Sequence, residues 1–237
     1  MLFILKKNRL ISGLLILSLA VFACGIVKSA VFSDKETFLP SEGRTIIVDA
    51  GHGAPDGGAV GASGVLEKDL NLAVATALQK FLESGGTEVI LTRSDDNGIY
   101  DVSGSIKSKK VSDIKNREKL MKESGADAFI SIHMNKFPEE KYSGPQVFYS
   151  ANGEDSKMLA ECVQHNLISV LSPVSEREVK EAYDSIYLLK NATVPAILVE
   201  CGFLSNAQEE KKLIEENYQK QIAWAIYCGI IQYFDEK

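Results

Sequence analysis

Residues 45–58 read TIIVDAGHGAPDGG, a β-branched apolar run that breaks into a glycine-rich turn carrying one of only three histidines in the chain. A run this apolar, ended by Gly51, is a short strand buried on both faces, and the turn lies at its carboxyl end. Glycines there let the backbone bend sharply and leave the imidazole of His52 uncovered. A phosphate loop would need a glycine or a Gly-Lys-Ser/Thr at fixed spacing. After Gly51 and Gly53 the sixth position is Asp56, and no such tripeptide follows.

The same rhythm continues outward from this turn. TEVILTR, DAFISIH, GPQVFYS and PAILVE are further β-branched or aromatic runs, and DAFISIH and PAILVE share the continuous apolar character of central strands. Between them fall segments with helical spacing: Leu70, Val74, Ala77, Leu78 and Phe81; Leu159, Cys162, Val163 and Leu167; Ile222, Ala225, Ile226 and Ile230. The alternation predicts an α/β domain: one twisted, mostly parallel sheet flanked by helices on both faces. LESGGT (82–87) ends the first helix with glycines just past it. The polar stretch 94–112, SDDNGIYDVSGSIKSKKVS, is too long for an idle connector and is expected to border a cleft.

The amino terminus is a separate object. MLFILKKNR precedes LISGLLILSLAVFACGIV (10–27), which carries no charge, and the cationic flank comes first. This pattern predicts export, with residues 1–27 either a signal peptide cleaved after Ala23 or a retained membrane anchor. Lipidation at Cys24 is a third route, disfavoured by Phe22. Residues 28–43 read as a linker and 44–237 as the domain. Losing the three cations of residues 1–27 would take the net charge from -6 to -9. That surface is a poor match to phosphate backbones, and nucleic acid is not an expected partner. Cys24, Cys162, Cys201 and Cys228 are widely spaced, contain no CxxC, and form no disulfide framework.

Chemistry gathers at the strand ends. His52 follows the first strand, His133 closes AFISIH, Glu200 closes PAILVE, and Glu67 opens the first long helix a short loop after His52. Open α/β sheets bind ligands at this carboxyl edge. Two imidazoles and one carboxylate suit zinc with a fourth position open for water, and Glu200 is then a spare carboxylate able to carry a proton. Singly, each has a plainer reading. Either histidine could be structural, Glu67 could stabilise a helix N-terminus, and Glu200 could be a buried acid paired with Arg93 or Lys190. His165 falls in the helical pattern MLAECVQHNLISVL and reads as a surface residue.

VDAGHGxxDGGAVG, GVLEKDLNLAVA, ISIHMN and PAILVECGFLSN resemble, in that order, the motifs of the zinc-dependent N-acetylmuramoyl-L-alanine amidases of amidase type 3. The resemblance covers residues 44 to about 235. It implies that His52, Glu67 and His133 hold Zn²⁺ and that Glu200 is the catalytic base. The bond cut would be the amide between the lactyl group of N-acetylmuramic acid and the L-alanine of the stem peptide in peptidoglycan. Asp49 and Asn135 become candidates for orienting the ligands, or else serve loop hydrogen bonding. GHGAPDGG stands where the family often has GHGGxDPG, and Cys201 follows the catalytic glutamate; a thiol there should point to the opposite face of its strand. A bare catalytic domain with a short hydrophobic leader looks most like the members that act in sporulation and germination. Their implied setting is the spore cortex, where peptide removal prepares muramic acid for δ-lactam formation, with help from a membrane anchor or an accessory protein. The rival readings are a zinc peptidase cutting within the stem peptide and a catalytically silent wall-binding module.

Overall fold

A computed structural model of the chain describes residues 39–237. The expected leader, residues 1–27, and most of the expected linker lie outside the described residues. Among the described residues no helix is long and apolar enough to cross a membrane. Leu39–Gly43, read above as the end of a linker, instead folds onto the domain. Ser41 is fully buried, and its hydroxyl and carbonyl accept hydrogen bonds from Thr87 Oγ1 at 2.9 and 3.1 Å.

In chain order the elements are β1 (Thr45–Ala50), α1 (Glu67–Ser84), β2 (Glu88–Leu91), α2 (Ile106–Glu123), β3 (Ala128–Asn135), β4 (Gln146–Tyr149) and α3 (Glu154–Leu171). β5 (Lys180–Glu181), α4 (Tyr187–Lys190), β6 (Ala196–Phe203), α5 (Ala207–Ile214) and α6 (Glu216–Glu236) complete the fold. The strands form one six-stranded sheet in the order β2-β1-β3-β6-β4-β5. β2, β1, β3 and β6 run parallel, and β4 pairs antiparallel with β6. The three runs expected to be central are β1, β3 and β6. Because β2 and β3 flank β1 on opposite sides, the chain reverses its direction of travel across the sheet at β1. The crevice at the carboxyl ends of β1 and β3 is therefore where a ligand site is expected.

Side-chain alternation gives the sheet two unlike faces. Ile46, Val48, Ile130, Ile132, Ile197 and Val199 point to one face and pack with Leu78 of α1, Leu159 and Val163 of α3, and Ile226 of α6 in one buried cluster. Ile47, Phe129 and Leu198 point to the other and pack with Met121 of α2 and Leu189 of α4 in a smaller cluster. Two residues further along these same strands the smaller face turns polar: Asp49 follows Ile47, Ser131 and His133 follow Phe129, and Glu200 follows Leu198. The larger face keeps the sheet folded, and the smaller one carries the chemistry at its carboxyl end.

The stretch 94–112 is only partly a loop. Ser105 caps α2, accepting a hydrogen bond from the Ser108 amide at 3.2 Å, so residues 106–112 are helical. The helix escaped the apolar-periodicity reading because its buried positions are Ser112, Arg117 and Met121, and two of the three are polar. Nor does Glu200 end its strand, since β6 runs on to Phe203.

Candidate active site

The turn after β1 holds His52 in the left-handed region, φ 62°, which non-glycine residues seldom adopt. Two buried arginines hold it there. Arg117 Nη2 donates to the His52 carbonyl at 2.6 Å and Nη1 to the Ala50 carbonyl at 2.8 Å. Arg93 donates to the carbonyls of Ala50 at 3.0 Å, Gly51 at 3.1 Å and Lys68 at 2.7 Å, tying the turn to the first turn of α1. Arg117 in turn pairs with Asp49, whose other oxygen accepts from Ser131 Oγ at 2.5 Å. Burial works against the Asp49 carboxylate, but Arg117 and Ser131 outweigh it and hold the group below its usual range.

The glycines of the turn answer to close approach. A Cβ on Gly51 would intrude on the His133 ring. A Cβ on Gly58, itself at φ 68°, would lie 2.5 Å from Glu67 Oε2 and 2.8 Å from His52 Cδ2. Only bare backbone fits between these three side chains.

The three side chains meet at one point. His52 Nε2 lies 3.1 Å from Glu67 Oε2, and His133 Nδ1 lies 2.9 Å from Glu67 Oε1. One donor atom from each of the three falls within 4.8 Å of the others. A tetrahedral zinc with ligand bonds of about 2.0–2.1 Å has edges of roughly 3.3 Å, close to the two histidine–glutamate separations. Glu67 is fixed by backbone amides, accepting from Ala59 at 2.8 Å and Met134 at 3.2 Å. Burial opposes its charge, yet His133 and His52 hold its carboxyl well below the carboxylate range. His52 is oriented by Asp56, 2.9 Å from its Nδ1, which leaves Nε2 for the cluster. Burial would lower the His52 pKa, but Asp56 and Glu67 overcome it and raise the imidazole to about 9.

Glu200 pairs in register with His133, so both project from the same face of neighbouring strands. Its Oε2 is shielded from solvent and has no hydrogen-bond partner. Neither rival partner reaches it: Arg93 is engaged by backbone carbonyls, and Lys190 pairs with Asp184 at 3.1 Å. Burial, with help from Glu67 and against the two imidazoles, pushes its pKa up to about 7. An orphaned carboxylate oxygen beside two imidazoles and an acid is what a resident cation would satisfy, and the donor set fits zinc.

The remaining sequence candidates fall outside this cluster. Asp49 reaches the His52 turn only through Arg117. Asn135 lies past a register shift in β3, where its carbonyl accepts the Leu204 amide at 2.8 Å. Cys201 is buried in the opposite face of the sheet, and burial pushes its thiol far above the usual range. His165 is exposed on α3. The sequence reading missed Asp56, Arg93 and Arg117 as supports. Asp56 lies four residues after His52 in GHGAPD, a signal open to use, whereas nothing in α2 distinguishes Arg117 from its many cationic neighbours.

Comparison with known proteins is consistent with this geometry. A family model described as N-acetylmuramoyl-L-alanine amidase matches residues 46–232. The chain is 38% identical over 233 residues to the germination-specific N-acetylmuramoyl-L-alanine amidase of Bacillus subtilis (strain 168), covering 98% of this chain and 97% of that protein. Among solved structures, the CwlD amidase of Clostridioides difficile, in complex with the GerS lipoprotein, is 45% identical with a TM-score of 0.79 over 82% of this chain and 100% of that one. An N-acetylmuramoyl-L-alanine amidase from Clostridium difficile 630 is 34% identical with a TM-score of 0.72, covering 82% and 98%.

Proposed function

The chain belongs to the family of N-acetylmuramoyl-L-alanine amidases, and from that premise we propose that His52, Glu67 and His133 hold a zinc ion and that Glu200 is the catalytic base. The observation that carries the proposal is the convergence of His52 Nε2, His133 Nδ1 and the Glu67 carboxylate beside the unpartnered Oε2 of Glu200.

When bound, zinc supplies a Lewis acid for the scissile carbonyl and makes water more acidic. Everything else is done by the protein's own groups. Asp56 fixes the His52 ring so that Nε2 faces the cluster, and Glu67 is locked by the Ala59 and Met134 amides. Glu200, with a pKa about 7 in the metal-free molecule, accepts the proton of the attacking water and delivers it to the departing nitrogen of L-alanine. Beside a bound dication Glu200 would be ionised and ready for the first of these transfers. A silent binding module would have no use for a buried, unpaired acid at this position.

We place the enzyme outside the cytoplasmic membrane, exported by residues 1–27, acting on peptidoglycan in the spore cortex. This setting rests on the near full-length similarity to the germination-specific enzyme of Bacillus subtilis. The complex of the Clostridioides difficile enzyme with a lipoprotein supports an accessory partner of the same kind here. The test is mass spectrometry of peptidoglycan digested by the purified protein, with zinc and then with a chelator. Zinc-dependent release of peptides that begin with free L-alanine is the expected result. Fragments cut within the stem peptide would establish a peptidase instead.

A further inference from the structure

A cavity of about 200 Å³ opens beside His52 and His133, walled by Pro55 and Tyr100, by Lys109, Lys110 and Ile114 of α2, and by Leu188 of α4. Its acids already have partners. Asp49 and Asp113 pair with Arg117, and Asp56 pairs with His52 at 2.9 Å and with Lys110 at 2.7 Å. Lys109 is different. Its Nζ lies 4.8 Å from the centroid of the Tyr100 ring and meets no carboxylate among the described residues. Lys109 is therefore the cation of this wall left for a ligand to pair with. Stacking on an aromatic face also holds that charge in place, which lowers the ordering cost of using it to bind.

Resting on the amidase reading, we propose that Lys109, held over Tyr100, is a subsite for a carboxylate on the leaving peptide next to the scissile amide. N-acetylated sugars are neutral, so the peptide is the part of the substrate able to answer a free cation. The apolar walls, Pro55, Ile114 and Leu188, suit the small alkyl side chain between the cut amide and that carboxylate. Lys110 cannot serve in the same way while it is committed to Asp56.

The test is inhibition of peptidoglycan hydrolysis by two dipeptides capped as γ-methylamides, L-alanyl-D-glutamate and L-alanyl-D-isoglutamine, which then differ only in whether the α-carboxyl following the alanine is free. The acid should inhibit the wild-type protein at about tenfold lower concentration than the amide. K109Q should erase that preference, and K109R should retain most of it. K107Q removes an exposed charge from the same helix outside the cavity, and it should keep the full preference. Equal inhibition by acid and amide, inhibition by neither, or a K107Q loss as large as that of K109Q would overturn the subsite. Failure of the uninhibited wild-type protein to release peptides beginning with L-alanine would overturn the amidase reading itself, so the two failures are distinguishable.

Discussion

Replacing Arg117 with alanine should expose how the site is held together. Both members of the Arg117–Asp49 pair are buried, Arg117 at 2% exposure and Asp49 at 0%. Removing one partner of a buried pair leaves the other charge uncompensated and costs about 3–5 kcal/mol. For a domain of this size each kcal/mol lowers Tm by roughly 2–4 °C, so R117A should melt about 6–20 °C below wild type. The pH dependence identifies the cause. In the wild-type protein the Asp49 pKa lies below 3.8, so its stabilising contribution is present above that value and is lost only as pH falls through the lower folded value. In R117A burial is no longer opposed by the guanidinium and lifts the folded pKa above the unfolded one. The deficit relative to wild type is then full above that raised value and shrinks as pH falls toward 3.8. Urea unfolding at pH 7 and at about pH 4.5 should therefore give the smaller difference in acid. D49N should restore part of the loss in the R117A background, because asparagine carries no charge and can still accept the Ser131 hydroxyl. A cost below about 1 kcal/mol, a deficit independent of pH, or additivity of D49N with R117A would refute the reasoning.

Other consequences concern the proposed metal site. G58A should fold but lose high-affinity zinc, because the new methyl group collides with Glu67 and His52 at a left-handed position; metal analysis after dialysis reads this directly. Zinc affinity of the metal-free protein should rise with pH by about tenfold per unit up to about 9, since zinc must displace a proton from His52. D56N should weaken zinc by about 10–100-fold and end that rise at lower pH; chelator competition across the range checks both, and a flat profile in the wild-type protein would count against the imidazolium. E200Q should keep its zinc and lose about 10²–10⁴-fold in turnover, measured as peptide release under saturating metal.

How much of this was legible beforehand varied with the kind of signal. Continuous apolar runs mark strands buried on both sides, so β1, β3 and β6 stood out, and with them the edge where His52 and His133 lie. α2 did not, because its buried positions hold polar groups serving the site and leave no apolar stripe to read. β5, two residues long and exposed, has no pattern at all. The two histidines were visible because they are few and fall at the end of apolar runs, although β3 continues past His133 to Asn135. Their supports were not: Arg117 and Arg93 act on backbone carbonyls of the His52 turn, and carbonyls leave no trace in residue identity. Glu200 was assigned to a strand end, yet it lies within β6. Its register with His133 places it at the cluster.

The most direct test of the central claim is zinc K-edge X-ray absorption on the purified protein and on H133A. One zinc with only nitrogen and oxygen scatterers at about 2.0–2.2 Å, including two imidazoles, lost in H133A, is the predicted result. A sulfur scatterer near 2.3 Å, or full zinc occupancy in H133A, would contradict it.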